Sequence, residues 1–177
     1  GKGSGKLFAG WGKSEIGKEE YSGHIIICGY GRVGGWVGKA LEAAKIPFVV
    51  VDYNQTVITQ LKKQGTQAVY GDPTESEVID AAGLKDAKAV VLAIPDEVAQ
   101  ETIIAHIQNV APSAKIISRV HKDEAWEKLK ILKVDKLVQP EFEAAISIIR
   151  TILVSSGRSK VEINERTKSL RLSRAMT

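Results

Sequence analysis

From residue 24 onward, short apolar runs alternate with stretches whose apolar residues recur every three or four positions. The runs cover 24–28 (HIIIC), 48–52 (FVVVD), 68–70, 89–94 (AVVLAI), 115–120 (KIISRV) and 136–138. The first, second and fourth are continuous and β-branched, the composition of strands buried on both faces of a parallel sheet. Between the first two, Val33, Val37, Ala40, Leu41 and Ala44 share one face at helical spacing, and Pro47 marks the way into the next strand. Trp36 flanks that face and is expected to pack in the core. Further helices are predicted over 56–64, 76–82, 97–111 and 123–132, where Trp126 is a second packing aromatic, and over 141–153 after Pro140. Strand–helix alternation of this kind predicts an α/β fold: a Rossmann-like, doubly wound, mainly parallel sheet of about six strands with helices on both faces.

The ends of the chain lack this pattern. Seven of the 16 glycines fall in the first 23 residues, so 1–22 reads as a flexible arm or linker. Residues 154–177 read as a basic polar tail, with a short strand possible only near 160–163. The domain is expected to occupy 23–153.

Composition narrows the class. With 44% apolar and 26% charged residues and one Cys in 177, the chain is neither disordered nor a disulfide scaffold, and a reducing compartment is expected. No run reaches the roughly 18 apolar residues of a membrane span. The net charge of +4 is local: residues 154–177 carry six Lys and Arg against Glu162 and Glu165. The body is near neutral, and the tail lacks interleaved aromatics, so no nucleic-acid partner is expected.

The strongest chemical signal is Gly29-Tyr30-Gly31-Arg32-Val33-Gly34, a G-x-G-x-x-G that follows an apolar strand and opens an amphipathic helix. Asp52, with Tyr53 beside it, closes the next strand at the spacing a dinucleotide site requires. Gly29 permits the turn, Gly31 admits a diphosphate to the backbone, and Gly34 lets helix and strand pack. Arg32 adds charge for phosphate, while Asp52 accepts from ribose hydroxyls and repels a 2′-phosphate, favouring NAD (NAD+ or NADH) over NADP. AMP, ADP or ATP is the alternative ligand. A Rossmann-like domain that keeps the turn only for packing shows the same glycines. In Gly71-Asp72-Pro73-Thr74, Asp72 either faces the ribose and adenine or caps the turn ahead of the next helix. Ala93, Ile94 and Pro95 are candidates for the cleft wall, and Arg119, ending the fifth strand, for a phosphate contact. His24, His106, His121 and Cys28 lack metal-ligand spacing, and no metal or catalytic residue is expected.

The segments HIIICGYGRVG, VVVD, YGDPTESEVIDAAGL, AVVLAIPDE and KIISRVHKDE together resemble the RCK/KTN (TrkA-N) domains, closest to the C-terminal domain of Kef-type monovalent cation:proton antiporters. The resemblance covers residues 23–153. It implies a nucleotide-binding regulatory domain, not an enzyme, at the cytoplasmic face of the inner membrane. Its partners would be a second copy and a transmembrane potassium or cation transporter or channel, reached on the same full-length chain. It carries family roles to Gly29, Gly31, Arg32, Gly34, Asp52, Asp72 and Arg119. Many members continue into a second C-terminal lobe, for which this tail is too short and polar. The helix 141–153 bears Phe142, Ala145, Ile146, Ile148, Ile149, Ile152 and Leu153, more than one apolar stripe, so its second face is expected to form the homodimer. The competing reading is a small NAD-dependent oxidoreductase or a stand-alone nucleotide sensor. The oxidoreductase lacks a substrate domain and any Tyr-x-x-x-Lys pair.

Overall fold

The structure, a computed structural model, describes residues 22–176; the arm expected over 1–22 lies outside them apart from Ser22. Six strands, β1 (Ile25–Cys28), β2 (Phe48–Asp52), β3 (Ala68–Tyr70), β4 (Ala89–Leu92), β5 (Lys115–Arg119) and β6 (Lys136–Val138), form one sheet in the order β3-β2-β1-β4-β5-β6. Every pairing is parallel. The helices are α1 (Arg32–Ala43), α2 (Gln55–Lys63), α3 (Ser76–Ala81), α4 (Glu97–Val110), α5 (Asp123–Ile131), α6 (Pro140–Ser155) and α7 (Lys160–Met176), with a 3-10 turn at Leu84–Asp86. Chain order reverses between β1 and β4, and there the carboxyl ends of the strands open a crevice.

Side-chain alternation divides the core. Val49 and Val51 of β2 join Ile26, Val90 and Leu92 on one face, covered by Val78 and Ile79 of α3, Ile103, Ile104 and Ile107 of α4, and Leu129 of α5. Val50 and Ala68 face the other way, against Ile58 and Leu61 of α2. Tyr30 belongs to this second cluster. Its ring lies so close to Gly38 of α1 that a Cβ there would meet Cε2 at 2.6 Å.

Trp36 departs from expectation: it is 70% exposed, and Lys39 Nζ lies 5.3 Å from its ring centroid. Gly34 and Gly38 are the buried residues of α1: the helix packs through its glycines, Gly34 on the Gly29 carbonyl and Gly38 on the Tyr30 ring. That rotates Val33, Val37 and Leu41 to the half-buried flank and exposes Ala40 and Ala44. Trp126, by contrast, packs against the larger core cluster as expected.

The chain divides into two compact units at Val138–Gln139. In the second, the expected polar tail and its short strand are replaced by α7, which pairs with α6 as a helical hairpin. Ile163 and Thr167 of α7 are buried. Arg171 holds Glu143 in a fork at 2.6 and 2.7 Å, and that hydrogen-bonded pairing raises the guanidinium further above its ordinary value. Arg150 reaches Asn164 and Thr167, and Arg174 lies 4.7 Å over the Phe142 ring and bonds Gln139. Three arginines thus join helix to helix. Among the described residues, no helix is long and apolar enough to cross a membrane.

Candidate functional site

A cleft of about 370 Å³ opens at the carboxyl edge of the sheet, where β1 and β4 diverge. Its floor is the glycine-rich turn. Gly29 takes φ +91, a region disfavoured for side chains, and an added Cβ would meet Ile94 Cγ2 at 2.8 Å. A Cβ on Gly34 would overlap the Gly29 carbonyl oxygen, so this glycine sets the contact between α1 and the turn. A Cβ on Gly31 would meet nothing within 4 Å. The space beside that backbone is open, as the approach of a phosphate requires.

Gly31 is also the N-cap of α1 and supplies no capping side chain, and the first turn carries no acidic residue. Other helices differ: Asn54 caps α2 by accepting from Val57 N at 3.3 Å, and Asp96 caps α4 by accepting from Ala99 N at 2.8 Å. The uncapped end of α1 leaves N–H groups and a partial positive charge for an anion.

Asp52 stands across the turn. Its Oδ2 accepts from the Tyr30 backbone N–H and its Oδ1 from that of Asn54, both at 2.8 Å. An ionised carboxylate has about four acceptor sites, so two remain for a ligand's hydroxyls. The Tyr30 phenol is raised from its ordinary value, chiefly by burial and also by the negative charge of Glu42. At the opposite wall Arg119 contributes a guanidinium whose Nε is buried without a hydrogen-bond partner among the described residues. A buried donor left unpaired is costly, and the rest of the guanidinium borders the cleft.

Ten of the sequence-predicted residues line the cleft: Gly29, Tyr30, Gly31 and Arg32 on the turn, Asp52 and Tyr53 after β2, Ala93, Ile94 and Pro95 after β4, and Arg119. Val33, Gly34, Gly71 and Asp72 are not in its wall. Asp72 takes the turn role: its Oδ1 accepts from Thr74 N at 2.9 Å and Thr74 Oγ1 at 2.7 Å. The next residue, Pro73, reaches the cleft instead.

Val51, Asn54 and Val57 also line it, unforeseen. Asn54 had a legible signal, an Asn two positions past the acidic strand end and just before a helix. Gln100 lies behind the wall, 1% exposed, and its Nε2 donates to the carbonyls of Ile94 at 2.6 Å and Arg119 at 2.8 Å. Cys28 closes β1 fully buried, and burial pushes its thiol up to about 12. At neutral pH it is an inert packing residue.

Residues 25–140 match the TrkA-N domain family. The chain is 32% identical over 148 residues to a glutathione-regulated potassium-efflux system protein of Haemophilus influenzae, covering 84% of this chain and 24% of that protein. A crystal structure of the TrkA-N domain of the inner membrane protein ybaL from Escherichia coli superimposes with TM-score 0.71 at 31% identity, covering 73% of this chain and 96% of that one. The Kef C-terminal domain of Shewanella denitrificans, in its AMP-bound form, gives TM-score 0.74 at 25% identity, covering 86% of this chain and 94% of that one. The chain spans about a quarter of the length of the curated relatives it matches.

Proposed function

The chain belongs to the TrkA-N domain family, and on that premise we propose that its cleft binds an adenosine nucleotide and that ligand state regulates a linked potassium or monovalent cation transporter. The observation that carries this reading is the convergence of three features on one cleft: the open backbone at Gly31 with the uncapped end of α1, the Asp52 carboxylate, and the Arg119 side chain in its wall. Ribose hydroxyls fit Asp52, and phosphates fit Arg32, Arg119 and the helix end. Adenosine with its 5′-phosphate is common to NAD(H) and to AMP, ADP and ATP, and the AMP-bound Kef relative supports that shared half. The negative charge of Asp52 favours NAD over NADP.

Regulation requires that the ligand bind two arrangements of the protein with different affinity. The proposed moving part is a homodimer through α6, where Ile148 and Ile152 are 61% and 55% exposed. The proposed output is a transmembrane cation transporter or channel on the full-length chain, which places the domain at the cytoplasmic membrane face. Calorimetric titration with NADH, NAD, AMP, ADP and ATP tests the binding step: saturable heat from at least one is expected, and silence from all at millimolar concentration refutes it. Transport by the full-length protein, with and without the ligand so identified, tests the regulatory step.

A further inference from the structure

Gln100 occupies the first turns of α4, on the side facing the core, and is among the most deeply buried polar residues described. A buried amide is tolerated only where its hydrogen bonds are made. Both hydrogens of Nε2 are committed, one to the carbonyl of Ile94 and one to that of Arg119. The β4–β5 pairing ends at Leu92↔Ser118, so these two carbonyls lie just past the last matched pair. The Gln100 amide ties them together where the two strands no longer hold each other. The Ser118 hydroxyl adds a longer bond, 3.2 Å, to the same Arg119 carbonyl.

Both tied residues line the cleft, and Arg119 carries the buried Nε that no described residue pairs. We propose, resting on the nucleotide-binding reading above, that Gln100 is a positioning residue for phosphate recognition: it fixes the backbone of Arg119 so that its guanidinium meets the ligand's phosphates. Gln100 itself touches no ligand. It acts on the phosphate-dependent part of the affinity and leaves the adenosine-dependent part alone.

The test compares ADP and adenosine by calorimetry on the full chain, in the wild type, Gln100→Met, Arg119→Met and the double variant. Methionine keeps the length and volume of the side chain while removing both donors. The wild type is expected to prefer ADP. Gln100→Met is expected to reduce the ADP-to-adenosine affinity ratio roughly tenfold with adenosine binding little changed. The double variant should bind ADP no more weakly than Arg119→Met alone, because the first change acts through the second residue. Equal weakening of ADP and adenosine, or additive losses in the double variant, would overturn the proposal. A wild type that binds both ligands equally overturns it too, leaving adenosine binding intact. A wild type that binds neither overturns this proposal, and only silence from NADH, NAD, AMP and ATP as well refutes the nucleotide reading with it. Should Gln100→Met not fold, Gln100→Asn keeps the amide but gives up one methylene of reach; an intermediate ratio is expected, and an unchanged ratio counts against the role.

Discussion

The carboxylate of Asp52 accepts a hydrogen bond from the backbone N–H of Tyr30 at 2.8 Å, so the end of β2 holds the middle of the glycine-rich turn. The residue expected to read the ribose therefore also fixes the loop that would receive the phosphate. Asp52→Ala removes both functions and leaves the N–H groups of Tyr30 and Asn54 without this acceptor. A loss of about 1–3 kcal/mol in folding stability is expected by chemical denaturation. Asp52→Asn keeps an acceptor and removes the charge, so it should fold more stably than Asp52→Ala and narrow any preference for NADH over NADPH in direct titrations.

Two glycines of the turn predict opposite outcomes. An added Cβ at Gly34 overlaps the Gly29 carbonyl, whereas at Gly31 it meets no protein atom within 4 Å. Gly34→Ala is expected to destabilise the fold by about 1–3 kcal/mol, as overpacking does. Gly31→Ala is expected to leave the thermal midpoint nearly unchanged while weakening nucleotide binding severalfold or more. Calorimetry and thermal melts on both variants separate the packing glycine from the binding one.

Cys28 supplies a pH signature. Its thiol is raised from an ordinary value near 9 to about 12 by burial. The unfolded chain ionises this group first, so the stability it lends is complete below pH 9 and is lost as pH climbs toward 12. Cys28→Ala should flatten that part of the alkaline stability curve. A thiol reagent at pH 8 should label the wild type only after denaturant is added.

The proposed dimer face on α6 gives a fourth expectation. Ile148→Lys with Ile152→Lys places charge on exposed positions, so the domain should stay folded while its mass by sedimentation equilibrium falls to that of one chain. A wild type already monomeric at high micromolar concentration would rule this interface out.

Much of the sheet was legible because β1, β2 and β4 are buried on both faces and need unbroken β-branched runs. The turn was legible because Gly29 and Gly34 are required there by space and Gly31 keeps its backbone open. Trp36 misled because a helical stripe of large apolar residues normally packs inward, whereas here Gly34 and Gly38 are the buried positions and turn the stripe aside. Helix α7 was hidden by its sparse apolar residues; its support comes from charge. The i, i+4 spacing of Arg158, Glu162 and Arg166, which pair in the structure, was the available signal. Gln100 left no trace in the sequence, since a polar residue in a first helical turn ordinarily faces water. Only the placement of the Ile94 and Arg119 carbonyls reveals why it is buried.

Regulation by this domain rests on the proposed binding of an adenosine nucleotide in the cleft through its phosphate. That binding is tested most directly by titrating AMP, ADP, ATP, NAD and NADH in parallel into the wild type and Arg119→Met, with folding verified by thermal melts. Saturable binding of at least one ligand, weakened tenfold or more by Arg119→Met, is the expected result. Binding of none of these ligands at millimolar concentration, or binding that Arg119→Met leaves unchanged, would contradict it.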